Sequence, residues 1–288
     1  MSKTFPTVGL IANGATTWMY ASPASSLGIE LAYLDSPEEV QESAQKCDVV
    51  SIVDQSVSSS IAKKLEADGV TVRPSFSAIS LASQKAKSVT SEGAEICVMV
   101  ARSPHGQATT WAPTEIVRQD GRWRISISPA RCLSEAQQEK AQKLALDFSA
   151  HLGAVGVIAV EMSVKDEEVF VVNVEMHPHS SGNWTVDGSI TSQYEQHLRA
   201  ILDLPLGDPS MSAPYVVTGN FYCGDKPNMY RPYLHLMART PALKFHQYKS
   251  SCVSGDLMGH ITLAGDDLPK IIEEIDHALQ YMQGEIDE

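Results

Sequence analysis

Hydrophobic positions follow two grammars along the chain. In the first quarter, short apolar runs at 8–11, 30–34 and 49–53 are separated by segments with helical spacing, such as Ile61 and Leu65 within 57–68. Continuous apolar strands separated by helices predict a parallel, doubly wound sheet, because strands covered on both faces need no polar alternation. Asn13-Gly14 marks a loop after the first run. Asp35-Ser36-Pro37 opens a helix expected to reach about Lys46, and Gly69 ends a second helix before extended structure resumes at 70–72. From residue 95 the pattern changes to consecutive antiparallel strands at 95–102, 107–118 and 123–127, with turns at His105-Gly106 and Asp120-Gly121. Ser134 and Gln137 form a capping box that opens a helix to about Leu152. Strands at 156–164 and 168–174 meet at Lys165-Asp166. The tail from 216 to 263 reads as strand-rich, and Ile271, Ile275, Ala278, Leu279 and Met282 outline a closing amphipathic helix.

The composition is that of a globular protein, 43% hydrophobic and 20% charged over 288 residues. A net charge of −13 argues against a nucleic-acid partner, which needs clustered Lys and Arg. No apolar run approaches the roughly 20 residues that span a bilayer, so no membrane association is expected. The N-terminal segment does not read as a secretory signal. Five scattered cysteines (Cys47, Cys97, Cys132, Cys223, Cys252), none in a C-x-x-C pair, read as reduced thiols of a cytoplasmic protein.

The densest polar constellation is Glu161 followed by Asn173, Glu175, His177, His179, Ser181, Gly182, Asn183 and Trp184. Asn173 and Glu175 share a strand face, and Glu161 can join them from the neighbouring strand. Two carboxylates and a carboxamide are hard-oxygen donors of the kind Mg²⁺ prefers, so Glu161, Asn173 and Glu175 form a candidate divalent-metal site. A solvated strand edge or a satisfied buried network uses the same residues. The His177/His179 pair could add imidazole ligands for a transition metal, or be two histidines in a proline-containing loop.

Residues 173–207 (NVEMHPHSSGNWTVDGSITSQYEQHLRAILDLPLG) resemble the signature of the N5-carboxyaminoimidazole ribonucleotide synthetases, the PurK-type ATP-grasp enzymes. The segments 95–131 and 155–161, and Met258-Gly259-His260, extend the resemblance. It implies an α/β fold with a Rossmann-like N-terminal domain (1–74), an ATP-grasp core with an antiparallel sheet (75–207) and a small β-rich C-terminal domain (208–288). Family members use ATP, Mg²⁺ and bicarbonate to carboxylate aminoimidazole ribonucleotide, and often form homodimers, so a homodimer is expected.

The departures from the family pattern narrow the expectation. The family's glycine-rich flap lobe, which clamps the ATP phosphates, has no room between Lys87 and Glu95. The core is therefore truncated, and ATP is not an expected cofactor. The family's K-E-A-R-P-G-R-K-M-G-H phosphate site has Ser250, Val253, Asp256 and Leu257 in place of four cations. A carboxylate facing a phosphate is repulsive, so a non-phosphorylated small-molecule ligand is expected. Its G-G-G-Q-L-G-R-M loop reads Ala12-Asn13-Gly14-Ala15-Thr16-Thr17-Trp18-Met19, and its E-N-x-H motif reads Glu115-Ile-Val-Arg118. Three readings stay open: an ATP-independent enzyme with His179 and Glu175 as catalytic residues, a non-catalytic partner-binding subunit, and a residual synthetase. Asn13, Gly14, His177, Ser181, Gly182, Asn183, Trp184 and His260 are the candidate ligand-binding residues.

Overall fold

The structure is a computed structural model that describes residues 5–12, 17–34, 40, 42–54, 59–85, 93–223, 230–248, 253 and 255–286. The expected loop residues Asn13 and Gly14, Ser250, and residues 35–39 and 41 of the helix expected at 35–46, lie outside the described residues.

The N-terminal apolar runs form a parallel sheet of order β2-β1-β3: β1 (Thr7–Ile11), β2 (Glu30–Tyr33) and β3 (Val49–Ile52). The strand expected at 70–72 contributes only the bridge Val50–Val72. Arg73 still donates its N–H to the Val50 carbonyl, and Pro74 after it offers no ladder donor. Helices Ser59–Ala67 and Phe76–Lys85 follow the sheet.

The second sheet has the order β11-β12-β10-β7-β6-β4-β8-β9, with β5 paired to β4. Its strands are β4 (Ala94–Arg102), β5 (Ala108–Thr110), β6 (Thr114–Gln119), β7 (Arg122–Ser128), β8 (Gly156–Lys165), β9 (Glu168–Glu175), β10 (Tyr215–Tyr222), β11 (Lys244–Gln247) and β12 (Leu257–Gly265). The single strand expected over 107–118 is thus two strands. Pro113 interrupts the ladder, and Trp111 turns inward to donate its indole N–H to the Thr191 carbonyl at 3.1 Å. The C-terminal strands extend the same sheet, because β10 pairs with β7 through Val217 and Ile127.

One face of the sheet packs on helix Glu135–Leu152, whose Ala141 and Ala145 sit against Ile96, Val98, Ile158 and Val160. The capping box is present as expected, Ser134 accepting from the Gln137 N–H. The closing helix Leu268–Gln283 buries all five residues of its predicted stripe. It approaches β10 so closely that a Cβ at Gly219 would lie 2.8 Å from Ile275 Cγ2, which is why glycine stands there. Helix Arg231–Arg239 occupies part of the tail read as strand-rich, with Pro232 in its first turn and Leu236 turned into the core. Cys223 is disulfide-bonded, which corrects the expectation of thiols throughout, whereas Cys47, Cys97 and Cys132 are free. Among the described residues no helix is long and apolar enough to cross a membrane.

Helix Gln193–Ile201 joins the two sheets. Tyr194, Leu198 and Ile201 pack on Val8 and Leu10 of the parallel sheet. His197, wholly buried on the same helix, accepts the Val157 N–H at Nδ1 (3.0 Å). That leaves its proton on Nε2, which donates to Ser51 Oγ of β3 at 2.8 Å. Burial pushes its pKa down to about 3, with the charge on His177 adding to the effect. The folded state holds this histidine neutral while an unfolded chain protonates it near pH 6.5. Its contribution to stability is therefore complete above that pH and declines as pH falls towards 3. Replacement by Phe orphans the Val157 N–H and is expected to cost about 1–3 kcal/mol. Urea unfolding of wild type and His197→Phe from pH 8 to pH 5 checks both points, because the acid-side loss should be shallower in the variant.

Candidate functional site

Strand pairing creates the centre of the site. Glu161 on β8 lies directly opposite Asn173 on β9, and Glu175 lies two residues further along the same face. The register shifts between Glu161 and Met162, so the ladder is irregular beside Glu161. Asn173 Nδ2 donates to both carboxylates, to Glu161 Oε2 at 3.0 Å and Glu175 Oε1 at 2.8 Å. One carboxamide therefore bridges two acids that would otherwise repel. The expected grouping of these three residues is what the structure shows.

Each acid has a histidine beside its second oxygen. His177 Nε2 stands 3.5 Å from Glu175 Oε2, and His179 Nε2 stands 3.9 Å from Glu161 Oε1. The two pairs have the same composition, and their surroundings shift the corresponding groups in opposite directions. His177 Nδ1 contacts the Pro178 carbonyl at 2.8 Å, an acceptor, so Nδ1 carries a proton. A neutral His177 would then aim the Nε2 lone pair at a carboxylate. Burial disfavours its charge, but the contacts with Glu175 and the Pro178 carbonyl outweigh that and raise its pKa. Contact with His177 in turn holds the Glu175 carboxyl below its ordinary value.

In the other pair, burial pushes His179 down to about 4, with repulsion from His177 second. Burial raises Glu161 despite the hydrogen bond from Asn173. His179 Nδ1 faces Ser181 Oγ at 2.9 Å and accepts the Ser181 N–H at 3.4 Å, so its proton sits on Nε2 towards Glu161. A serine beside a histidine suggests a nucleophile, but Ser181 is only 1% exposed and its hydroxyl also contacts Met99 Sδ at 3.6 Å. No substrate carbonyl reaches that oxygen. Trp123 covers His179 with ring centroids 5.5 Å apart.

The loop after β9 is held by Gln193, a residue the sequence analysis did not single out. Its Oε1 accepts the His179 N–H at 3.0 Å and its Nε2 donates to the His179 carbonyl at 2.9 Å. Gly182 lies so near that a Cβ would sit 2.6 Å from Gln193 Oε1. Asn183 and Trp184 are buried and use their polar groups within the protein. Trp184 donates to Thr114 Oγ1 at 2.8 Å, and Asn183 Oδ1 accepts from Gln193 and Tyr194. His260 is also buried, in a separate cluster with Tyr248, His246 and Asp187.

Two small clefts reach the acids. One of about 120 Å³ is lined by Asp54, Ser59, Ile79, Glu175 and His177. The other, about 130 Å³, is lined by Glu95, Arg118, Trp123 and Glu161.

A family model described as the ATP-grasp domain matches residues 30–194. The N5-carboxyaminoimidazole ribonucleotide synthase of Mycobacterium tuberculosis is 38% identical over 192 residues, covering 65% of this chain and 45% of that protein. The Mycobacterium leprae synthase is 41% identical over 180 residues, 60% of this chain and 41% of its own length. The chain thus spans less than half the length of these curated relatives. Among solved structures, the N5-carboxyaminoimidazole synthase of Aspergillus clavatus, in complex with ADP and the aminoimidazole ribonucleotide, superposes with a TM-score of 0.85 at 20% identity, covering 97% of this chain and 99% of that one. The Thermus thermophilus synthetase gives 0.81 at 22% identity, covering 98% and 99%. At these identities the structural likeness shows the fold.

Glu175→Gln removes the carboxylate that raises the His177 pKa. The His177 pKa is expected to move from above 6.5 to below it, since burial then dominates. Nitrogen-15 NMR titration of the imidazole reads this directly, and a pKa that stays raised in the variant would contradict the pairing.

Proposed function

The chain belongs to the ATP-grasp domain family, and from that premise we propose that it is a PurK-type relative acting on a small, non-phosphorylated ligand by proton transfer, without ATP. The observation that carries this reading is the size of the openings at the acids. Clefts of about 120 and 130 Å³ admit a few heavy atoms, well below the roughly 300–1,000 Å³ of sites that hold larger ligands. Helix Phe76–Lys85 is followed by β4 after only eight residues, too few for a second phosphate-clamping lobe. On this reading ATP is not a cofactor, and no step is assigned to it.

A hard divalent cation does fit the donor set. Glu161 and Glu175 each keep an oxygen outside the Asn173 bridge, and the Asn173 carboxamide can present its own oxygen by turning over. Glu161, Asn173 and Glu175 would hold the ion, which when bound would neutralise the paired carboxylates and orient an oxygen of the ligand.

The protein's own groups supply the proton chemistry. With the His177 Nδ1 proton kept on the Pro178 carbonyl, Nε2 is the atom that exchanges a proton, and Glu175 stabilises the imidazolium that results. Both line the 120 Å³ cleft. His179 stays neutral and holds its Nε2–H towards Glu161, orienting that carboxyl. Titratable groups whose surroundings drive their pKa values apart are what acid–base catalysis needs.

A second reading, a non-catalytic subunit, draws on the internal use of Ser181, Asn183 and Trp184, which leaves that part of the loop few groups for a ligand.

Calorimetry separates these readings from a residual synthetase. Wild type titrated with Mg-ATP should give no saturable heat, and saturable binding would return the synthetase reading to first place. Titration with Mg²⁺ alone should give a binding isotherm that Glu161→Gln weakens by about ten-fold or more, consistent with losing one carboxylate ligand.

A further inference from the structure

Three further donors converge in a separate cluster, on elements far apart in sequence. Antiparallel pairing of β11 with β12 sets His246 directly opposite His260, their rings stacked 4.6 Å apart at 21°. Asp187, on the helical turn Thr185–Gly188, places Oδ2 2.7 Å from His246 Nε2. One ligand atom from each of the three lies within 4.8 Å of the others. We propose that Asp187, His246 and His260 form a binding site for a divalent transition-metal ion of the zinc type, beside the 510 Å³ cleft that His246 lines.

The donor chemistry points to that class of ion. Two imidazoles and one carboxylate make a three-ligand set that leaves a coordination position open, as in catalytic zinc sites, whereas a Mg²⁺ site would be built of oxygens. Bonds of about 2.0–2.1 Å at tetrahedral angles put ligand atoms about 3.3 Å apart. His246 and Asp187 are already closer than that, and the third ligand has to close by about 1.5 Å at most.

His260 supplies an independent sign. It is wholly buried, and its Nε2 has no hydrogen-bond partner. The hydrogen-bond chain from His179 engages the other nitrogen of the ring. Gln193 Oε1 accepts the His179 N–H, so Gln193 Nε2 donates to Asn183 Oδ1. Asn183 Nδ2 then donates to the Tyr248 hydroxyl at 2.7 Å, and that hydroxyl lies 2.6 Å from His260 Nδ1. The Tyr248 oxygen keeps a second lone pair, so it can accept from His260 Nδ1–H. In that tautomer the buried Nε2 holds an unpartnered lone pair, which it would offer to the ion. A histidine that ligates through one nitrogen while the other is held by a hydrogen-bond partner is the usual support of a metal ligand.

The cleft gives the open position something to meet. His246 lines it together with Trp18, Ile190, Tyr194, Glu195 and Phe245, and Trp18 and Ile190 are exposed. A ligand with a metal-binding oxygen or nitrogen head and an apolar body suits that lining.

The test is titration of chelator-stripped full-length protein with Co²⁺, read by its ligand-field absorption, followed by competition with Zn²⁺. Expected is one tight equivalent with a spectrum of low coordination number, displaced by Zn²⁺. Asp187→Asn and His246→Gln should each weaken it by about 100-fold or more, beyond the effect of losing a supporting contact. Both residues are part-exposed, so they carry the test if a variant at the buried His260 fails to fold. The double variant Glu161→Gln/Glu175→Gln should retain the equivalent, which keeps this site distinct from the Mg²⁺ site proposed above. Absence of stoichiometric Co²⁺ binding, binding indifferent to Asp187→Asn and His246→Gln, or binding lost with the double variant would each overturn the assignment.

Discussion

The buried carboxamide of Gln193 is the contact on which both polar clusters depend. It accepts from the His179 N–H, donates to the His179 carbonyl and donates again to Asn183, so two of its bonding directions are fixed by backbone groups that cannot turn over. A fully satisfied buried network in a low-dielectric interior is strong because any vacancy in it is costly. Its orientation passes to Asn183, from Asn183 to Tyr248 and from Tyr248 to His260. The path from His177 to Gly188 is thereby tied to the helix Gln193–Ile201 and to the C-terminal strands at once. Gly182 is part of the same constraint, since a Cβ there would displace the carboxamide.

Within that frame the sheet sets charge by position. Glu161 and Glu175 are two carboxylates bridged by one amide, yet one is raised and the other lowered. The difference lies in their histidines. His177 has its Nδ1 committed to a carbonyl and can only approach Glu175 favourably as a cation. His179 has its Nδ1 committed to donors from Ser181 and stays neutral. Two local backbone contacts, the Pro178 carbonyl and the Ser181 N–H, thus set the tautomer that each histidine presents to its carboxylate.

Much of this was legible in the sequence, and what was not has a common cause. Alternation at period two placed Asn173 and Glu175 on one face, and the hairpin at Lys165-Asp166 brought Glu161 opposite them. The capping box at Ser134 and the stripe of the closing helix are local patterns, and both are present. The pairing of His246 with His260 depends on the register of two strands joined through residues that no periodicity relates, and Tyr248 matters only through that register. Asn183 and Trp184 read as ligand-binding because they stand in a polar run, yet buried polar residues that serve the protein have the same composition. Pro113 signalled the break between β5 and β6, but the apolar and threonine-rich residues around it favour a single strand. Helix Arg231–Arg239 sits in a segment whose neighbours on both sides are strands.

The continuity of the central sheet bears on how such a site selects a ligand. β10 joins β7, and helix Leu268–Gln283 packs against β10 and β12, so the C-terminal strands share a ladder with β4, β8 and β9. A clamp that closes over a nucleotide works by moving one lobe against another, and it buys specificity with binding energy spent on closure. Here the donors that face the clefts are fixed by ladder pairing and by the Gln193 network before any ligand arrives. On the proposed function, discrimination rests on whether a ligand satisfies groups whose partners are already set, His179 and the Glu175–His177 pair. A ligand that leaves either of them unpaired loses the full desolvation cost of a buried polar group, about 1–3 kcal/mol and more for a charge. Selection by preset partners needs no lobe, and it is consistent with the short passage from helix Phe76–Lys85 into β4.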